Sequence, residues 1–172
     1  MARDRVSDYL EQWRRERPDL DPAPMGVVGR LSRASELISR TTRAYFADHG
    51  LQAGEFDVLA TLRRSGAPFT LTPGQLAEST MVSSAAITNR LSRLEDKGLL
   101  VRRTDPSNRR NVLVALTDDG LALVDDIVEG HLENERRLLT PLAPEEQEQL
   151  AVLLARFLAG SGDGSHEAGT EH

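Results

Sequence analysis

Two sets of side chains suited to nucleic acid lie close together between Ser83 and Leu116. The first set is Ser83, Ser84, Ala85, Thr88, Asn89 and Arg93, with Ser92 beside them. These residues are mostly small or hydrogen-bonding. They fall away from Ile87, Leu91 and Leu94, which recur at helical spacing. A helix face of this kind can enter a major groove and meet the donors and acceptors of base edges. The second set is Arg103, Arg109 and Arg110, the last two in the turn sequence Asp105-Pro106-Ser107-Asn108-Arg109-Arg110. Guanidinium groups there can neutralise phosphate or reach into a groove. No nucleophile–base pair, Gly-rich phosphate loop or metal-ligand cluster is visible, so an enzyme is a poor reading. No histidine pair has metal spacing on one helix, and His49 and His131 read as cap and interface residues.

The elements that must hold these residues are short and well punctuated. Ser83 or Ser84 is an N-cap for the helix, because a hydroxyl there accepts a hydrogen bond from a first-turn amide. Gly98 ends it as a C-cap. Two β-rich runs follow, Leu99 to Thr104 and Asn111 to Leu116, joined by turn residues. A capped helix and an Arg-tipped hairpin make a recognition helix with a β-wing. An ordinary helix and a solvated hairpin loop would be the better reading of either half alone.

The formal net charge is −6, which at first sight opposes nucleic acid. Its distribution reverses that. Thr72 to Leu116 carries +3, Thr117 to the end −10 and the first 71 residues +1. A local basic element on an acidic scaffold fits a groove-specific binder better than a general coat of DNA. There are no cysteines, so disulfides, thiolate metal sites and thiol switches are excluded. No apolar stretch is long enough to span a membrane. The N-terminus lacks the apolar core of a signal peptide, so the chain is expected in the cytoplasm.

In order, residues 3–17 read as an amphipathic helix with Val6, Tyr9, Leu10 and Trp13 on one face, stopped by Pro18. Residues 25–49 are a long helix with the stripe Val28, Leu31, Ala34, Ile38, Thr41, Ala44 and Tyr45. Residues 53–64 are another helix, and Phe69-Thr70-Leu71 is a candidate strand for the wing. Thr72-Pro73 starts the first helix of a helix-turn-helix, with Thr80 to Val82 as its turn. Thr117 caps a long helix to about Leu139, with the stripe Leu121, Val124, Ile127, Val128, His131 and Leu132. A last helix, Glu145 to Leu158, carries acidic residues in its first turn. Residues 160–172 are a Gly/Ser/acidic tail expected to be disordered.

The expected fold is therefore mainly α with a small β-wing. It is a single domain over 1–172, with a winged helix-turn-helix at 53–116, dimerisation helices at 25–49 and 117–158, and an extra N-terminal helix. The apolar stripes of the terminal helices are expected to bury against a second copy. A two-fold homodimer would set two recognition helices one DNA turn apart, ~34 Å, on a palindromic double-stranded operator.

With these residues in view, the chain resembles the MarR family of winged-helix repressors over about residues 25 to 158. The resemblance is carried by Leu94-Glu95-Asp96-Lys97-Gly98-Leu99-Leu100-Val101-Arg102-Arg103, by the wing turn, and by Leu116-Thr117-Asp118-Asp119-Gly120. It implies that one wing arginine enters the minor groove. By position this is Arg110, with Arg109 on phosphate; a narrow, negative groove attracts guanidinium by width and charge. Family members usually carry aspartate where this chain has Asn108. Asparagine accepts a hydrogen bond but lacks the charge that orients an arginine.

A narrower resemblance, to the urate-responsive branch that includes PecS-type regulators, rests on Trp13, on Glu16-Arg17-Pro18-Asp19-Leu20-Asp21 and on Gly54 to Gly66. It implies a ligand site at Trp13, Asp57, Arg90 and Arg102 and a small anionic effector, urate or a related purine. The residues agree with it. Asp57 lies within the apolar run Phe56 to Ala60, where an unpaired carboxylate is costly. Arg90 leans towards the packed side of the recognition helix, and Arg102 starts the wing. A planar oxopurine anion wants a flat aromatic face and in-plane guanidinium donors.

Plainer roles stand beside these. Trp13 also suits a packing anchor, and Asp57 with Arg90 or Arg102 a structural ion pair. Arg103 competes with Arg102 for phosphate, since neighbours on a strand face opposite ways. The expectation is a ligand-released repressor with no cofactor. Its rivals are a regulator for phenolic compounds and a constitutive DNA-organising protein.

Overall fold

A computed structural model describes residues 3–80 and 83–161, with Ser84 described in its backbone alone. The Met81-Val82 part of the expected turn and the expected tail from residue 162 lie outside the described residues. The chain forms two compact units, one up to His131 and one from Leu132.

The first unit begins with α1 (Arg5–Glu16). Asp4 caps it by accepting from the Ser7 amide at 2.8 Å. α1 packs on α2 (Ala23–Asp48) through Val6 and Leu10, which are buried. Each buried side chain of that size contributes roughly 1.5–3 kcal/mol. An ionic staple adds direction: Arg30 of α2 donates from Nη2 to Asp4 Oδ1 at 2.9 Å and to Ser7 Oγ at 3.0 Å.

α3 (Ala53–Arg64) buries Glu55, Phe56, Val58, Leu59 and Leu62. Thr72 and Gln75 then satisfy each other at the start of α4 (Pro73–Thr80), the Gln75 amide reaching the Thr72 hydroxyl at 3.2 Å and the Thr72 amide reaching Gln75 Oε1 at 2.8 Å.

α5 (Ser84–Asp96) is the expected recognition helix. Of the two serines that suited its N-cap, Ser83 takes the position, accepting from the Ala86 amide at 3.3 Å. Ile87, Leu91 and Leu94 are buried as the spacing predicts. Gly98 has φ +71. Its amide bonds to Glu95 O, and that of Leu99 bonds to Leu94 O, a closing pair that needs a left-handed residue after the cap.

The sheet has the order β1–β3–β2, all antiparallel, from β1 (Thr70–Leu71), β2 (Leu100–Thr104) and β3 (Val112–Leu116). Leu100 pairs with Leu116 and Thr104 with Val112, while the short β1 pairs Thr70 with Ala115. The candidate strand before Thr72 is thus a real third strand. The core is continuous from Phe46 through Leu59, Leu62, Leu76, Ile87, Leu94 and Val114 to Val124 and Ile127.

α6 (Asp118–Leu139) is capped by Thr117, whose hydroxyl accepts from the Gly120 amide at 3.0 Å. It runs from the first unit into the second, which continues into α7 (Pro144–Gly160). Within that unit Gln147 Nε2 closes the turn onto Leu142 O at 3.0 Å. Its side chains Leu150, Val152, Leu153, Phe157 and Leu158 are exposed.

Within the single chain the α2 stripe is mostly uncovered, with Val28 62% and Ile38 50% exposed; burial is confined to Gly26 near the start and Phe46 near the end. His131, half-buried, packs among rings, 5.1 Å from Phe46 and 5.2 Å from Phe56 between centroids; His49 stands at the α2 C-cap. Asp57 is exposed. Its apolar neighbours in sequence lie on the inner face of α3, and one helical step carries Asp57 off that face. The buried carboxylate of α3 is Glu55, 1% exposed.

Among the described residues no helix is long and apolar enough to cross a membrane, and no cluster of three or more potential metal ligands occurs.

Candidate nucleic-acid interface

The exposed face of α5 is formed by Ser83, Ala85, Thr88 and Asn89. These four are uncharged, while Arg93 and Asp96, also exposed, stand nearer the C-terminal end of the helix. Arg93 Nη1 donates to Gln52 Oε1, in the cap of α3, at 2.7 Å. Lys97, the C-cap of α5, donates to Glu55 and to Gly50 O. Arg90 lies against Gly54, so closely that a Cβ there would overlap its guanidinium. Arg93, expected among the residues facing DNA, is exposed and donates one hydrogen bond to Gln52.

Arg103, Arg109 and Arg110 are exposed. The wing tip is ordered by its own side chains. Asp105 Oδ1 accepts from the Ser107 amide at 2.8 Å and the Ser107 hydroxyl at 2.7 Å, and these bonds, the hydroxyl's first, hold its carboxyl below the usual range. Asn108 Oδ1 accepts from the Arg110 amide at 3.2 Å, and Asn108 O from the Asn111 amide at 2.8 Å. Asn108 therefore shapes the turn through backbone and leaves both guanidinium groups outside it. The candidate interface thus has an uncharged exposed stretch at the start of α5 and an exposed cationic tip on the wing.

The residues implied as a ligand set separate into three places. Asp57 and Arg90 come together. Burial pushes the Asp57 carboxyl above its ordinary range, and the charges of Arg90, Arg64 and His131 pull it back. The residue as a whole is exposed, and its carboxyl lies close enough to Arg90, Arg64 and His131 to feel their charges. Arg90 Nη1 is buried and has no hydrogen-bond partner among the described residues.

Arg102 turns towards α5 and pairs with Glu95. Nε donates to Glu95 Oε2 at 2.7 Å, Nη2 also binds that oxygen, and the Arg102 amide reaches Glu95 Oε1 at 3.2 Å. This pair lowers the Glu95 carboxyl and raises the Arg102 guanidinium. Trp13 lines a groove of about 350 Å³ between α1 and α2 with Tyr9, Leu10 and Met25, and Arg33 at its edge. No hydrogen bond or ion pair joins Trp13 or Arg102 to Asp57 or Arg90 among the described residues.

The residues missed from sequence are Gln52, Glu55 and Lys97. Two signals pointed to them: the spacing Gln52-x-x-Glu55 before an apolar run, which suits a helix start, and a single lysine among many arginines.

The comparisons agree with this geometry. Residues 49–111, from the C-cap of α2 to the wing turn, match the MarR family model. The chain is 49% identical over 151 residues to the HTH-type transcriptional regulator PecS of Dickeya dadantii, covering 88% of this chain and 91% of that protein. It is similar to Bordetella bronchiseptica BpsR, whose structure addresses regulation of DNA binding by 6-hydroxynicotinic acid, with a TM-score of 0.68 and 30% identity over 76% of this chain and 91% of that one. It is also similar to an E. coli MarR variant complexed with operator DNA, with a TM-score of 0.68 and 26% identity over 85% and 97% of the two chains. The chain belongs to the MarR family and is a DNA-binding, winged-helix transcriptional regulator.

Proposed function

We propose that the chain is a repressor that binds a palindromic operator as a homodimer, occludes polymerase there, and is released by urate or a related purine. The observation that carries this reading is the seat of Arg90. The residue belongs to the DNA-reading helix, yet its guanidinium lies on the first turn of α3 beside Asp57, with one nitrogen buried and unsatisfied. A buried donor without an acceptor is costly. A planar anion with in-plane acceptors satisfies it and does so through charge-assisted bonds.

Such a ligand competes with Asp57 for Arg90 and so acts on α5 directly. Lowering DNA affinity tenfold requires the ligand to favour the non-binding state by only about 1.4 kcal/mol. Trp13 offers a ring for stacking, 43% exposed in its groove. Arg102 would join by giving up Glu95, which moves β2 relative to α5. 6-Hydroxynicotinic acid, which regulates DNA binding by BpsR, is likewise a small planar aromatic acid.

The dimer is supported by the exposed apolar residues of α2, Val27, Val28, Leu37 and Ile38, and separately by those of α7. Isolated surface leucines are ordinary, but contiguous apolar patches mark interfaces.

A second reading, response to phenolic compounds, is favoured by the groove at Trp13, whose walls Val6, Leu10 and Met25 are apolar. Both are tested by selecting an operator from random duplex DNA and measuring its retention as urate, xanthine, 6-hydroxynicotinate or salicylate is added. Release by purines at lower concentration than by salicylate is the expected result. Equal retention with every compound at saturation would refute ligand control, and preferential release by salicylate would move the assignment to phenolics.

A further inference from the structure

Arg90, Arg93 and Lys97 fall at i, i+3 and i+7 of one helix, and so share a face. That face is turned to the segment Gly50–Glu55. Lys97 Nζ donates to Glu55 Oε2 at 2.7 Å and to Gly50 O at 2.8 Å. The same Glu55 oxygen accepts from the Gln52 amide at 2.9 Å. Gln52 accepts from Arg93 through its side chain. The reading helix is thus fastened to the cap of α3 at two successive turns.

One end of this fastening is a carboxylate 1% exposed, and the other a lysine whose side chain is 37% exposed. Taking the cation away leaves a buried charge with little compensation, which structures relieve by moving. Both helices are anchored in the core, α3 by Phe56, Val58, Leu59 and Leu62 and α5 by Ile87, Leu91 and Leu94, but a shift of α5 is the one that reading registers, because its exposed side carries Thr88 and Asn89.

We propose that Glu55 and Lys97 are a positioning pair for operator recognition. They touch no base. They hold α5 at the pitch at which Thr88 and Asn89 reach base edges, while the wing arginines bind backbone independently. Lys97 is not a phosphate contact, because its ammonium is directed at Glu55 and Gly50. Loss of the pair therefore lowers affinity for the operator and leaves affinity for unrelated DNA alone. A direct phosphate contact would behave differently. Its loss would weaken binding to all sequences and reduce the salt slope by about 1.

The test uses the full chain with Lys97→Met, Lys97→Arg and Glu55→Gln. Fluorescence anisotropy is read on the selected operator and on a scrambled duplex over a range of salt concentrations, well below the melting temperature. The expected result for Lys97→Met and Glu55→Gln is an operator affinity at least tenfold weaker. Scrambled-duplex affinity stays within twofold, with the salt slope unchanged. Lys97→Arg restores operator affinity to within threefold, because guanidinium can still pair with Glu55.

Three results would overturn the proposal: unchanged operator affinity in Lys97→Met, a parallel loss on both duplexes with a shallower salt slope, or no rescue by Lys97→Arg. If Lys97→Met does not fold, the double variant Glu55→Gln/Lys97→Met, which removes both charges, is read by the same ratio of affinities.

Discussion

The guanidinium of Arg90 rests on Gly54, occupying the space a Cβ would need. A residue of the reading helix thus reaches the first turn of α3 only because a glycine stands there. Gly54→Ala forces the guanidinium aside. It is the end of a flexible side chain, so the fold accommodates it, and alanine gains roughly 0.5–1 kcal/mol over glycine within a helix. Calorimetry should show an equal or higher melting temperature and anisotropy an operator affinity within threefold of the parent. The urate concentration for half release should rise at least tenfold. An unchanged response would remove Arg90's seat from the mechanism.

The carboxyl of Asp57 sits above its ordinary range because burial outweighs the nearby cations. An anion arriving at Arg90 adds negative charge and removes part of that compensation, so it pushes the carboxyl up further. Ligand binding then takes up a proton. Urate affinity should be strongest below the carboxyl's pKa, fall as pH rises through it and level off once Asp57 is ionised. Calorimetric titration in two buffers of different ionisation enthalpy measures the proton uptake. Asp57→Asn should bind with no uptake and a flat profile over that window; a profile like the parent's would assign the proton elsewhere.

Asp4 behaves in the opposite sense. Its bond from the Ser7 hydroxyl, then those from Arg30 and from the Ser7 amide, hold the carboxyl well below the usual range. A depressed carboxylate stabilises the folded arrangement above its ordinary value, ~3.9, and that contribution is lost as pH falls further. Acid should therefore loosen α1 from α2, seen as a red shift of Trp13 emission, since Trp13 is the only tryptophan. Asp4→Ala should show the shifted emission at neutral pH, with faster tryptic cleavage after Arg14 and Arg15. Parent-like emission in the variant would mean that Val6 and Leu10 hold α1 alone.

Base reading and backbone binding should separate by mutation. Asn89→Ala should cost about 1–3 kcal/mol on the operator and relax preference at one base pair. Arg110→Ala should weaken operator and scrambled DNA together and lower the salt slope by about 1. Anisotropy across salt concentrations and single-base operator variants distinguishes them; exchanged behaviour of the two variants would reverse the assignment of helix and wing.

Local signals made most of the architecture legible. Ser83, Gly98, Thr72-Pro73 and Thr117 announce helix ends through hydrogen bonds within three or four residues, and each stands where expected. The buried face of α5 follows from periodicity alone. What was not legible depends on faces and on distance. Asp57 looked buried because its sequence neighbours are apolar, but a helix separates neighbours by 100° and placed Glu55 inside instead. The bond from Arg93 to Gln52, forty-one residues away in sequence, is a contact between elements that no local pattern encodes. The pairing of Arg102 with Glu95 needed the wing folded back on the helix, which no local pattern encodes.

The central claim is that ligand release runs through Arg90. Its most direct test is operator affinity by anisotropy, with and without saturating urate, for the parent chain and Arg90→Gln. The account predicts that urate weakens the parent at least tenfold and leaves Arg90→Gln within twofold of its own ligand-free value. Equal weakening in both would contradict it, and would place the link between ligand and reading helix on another residue.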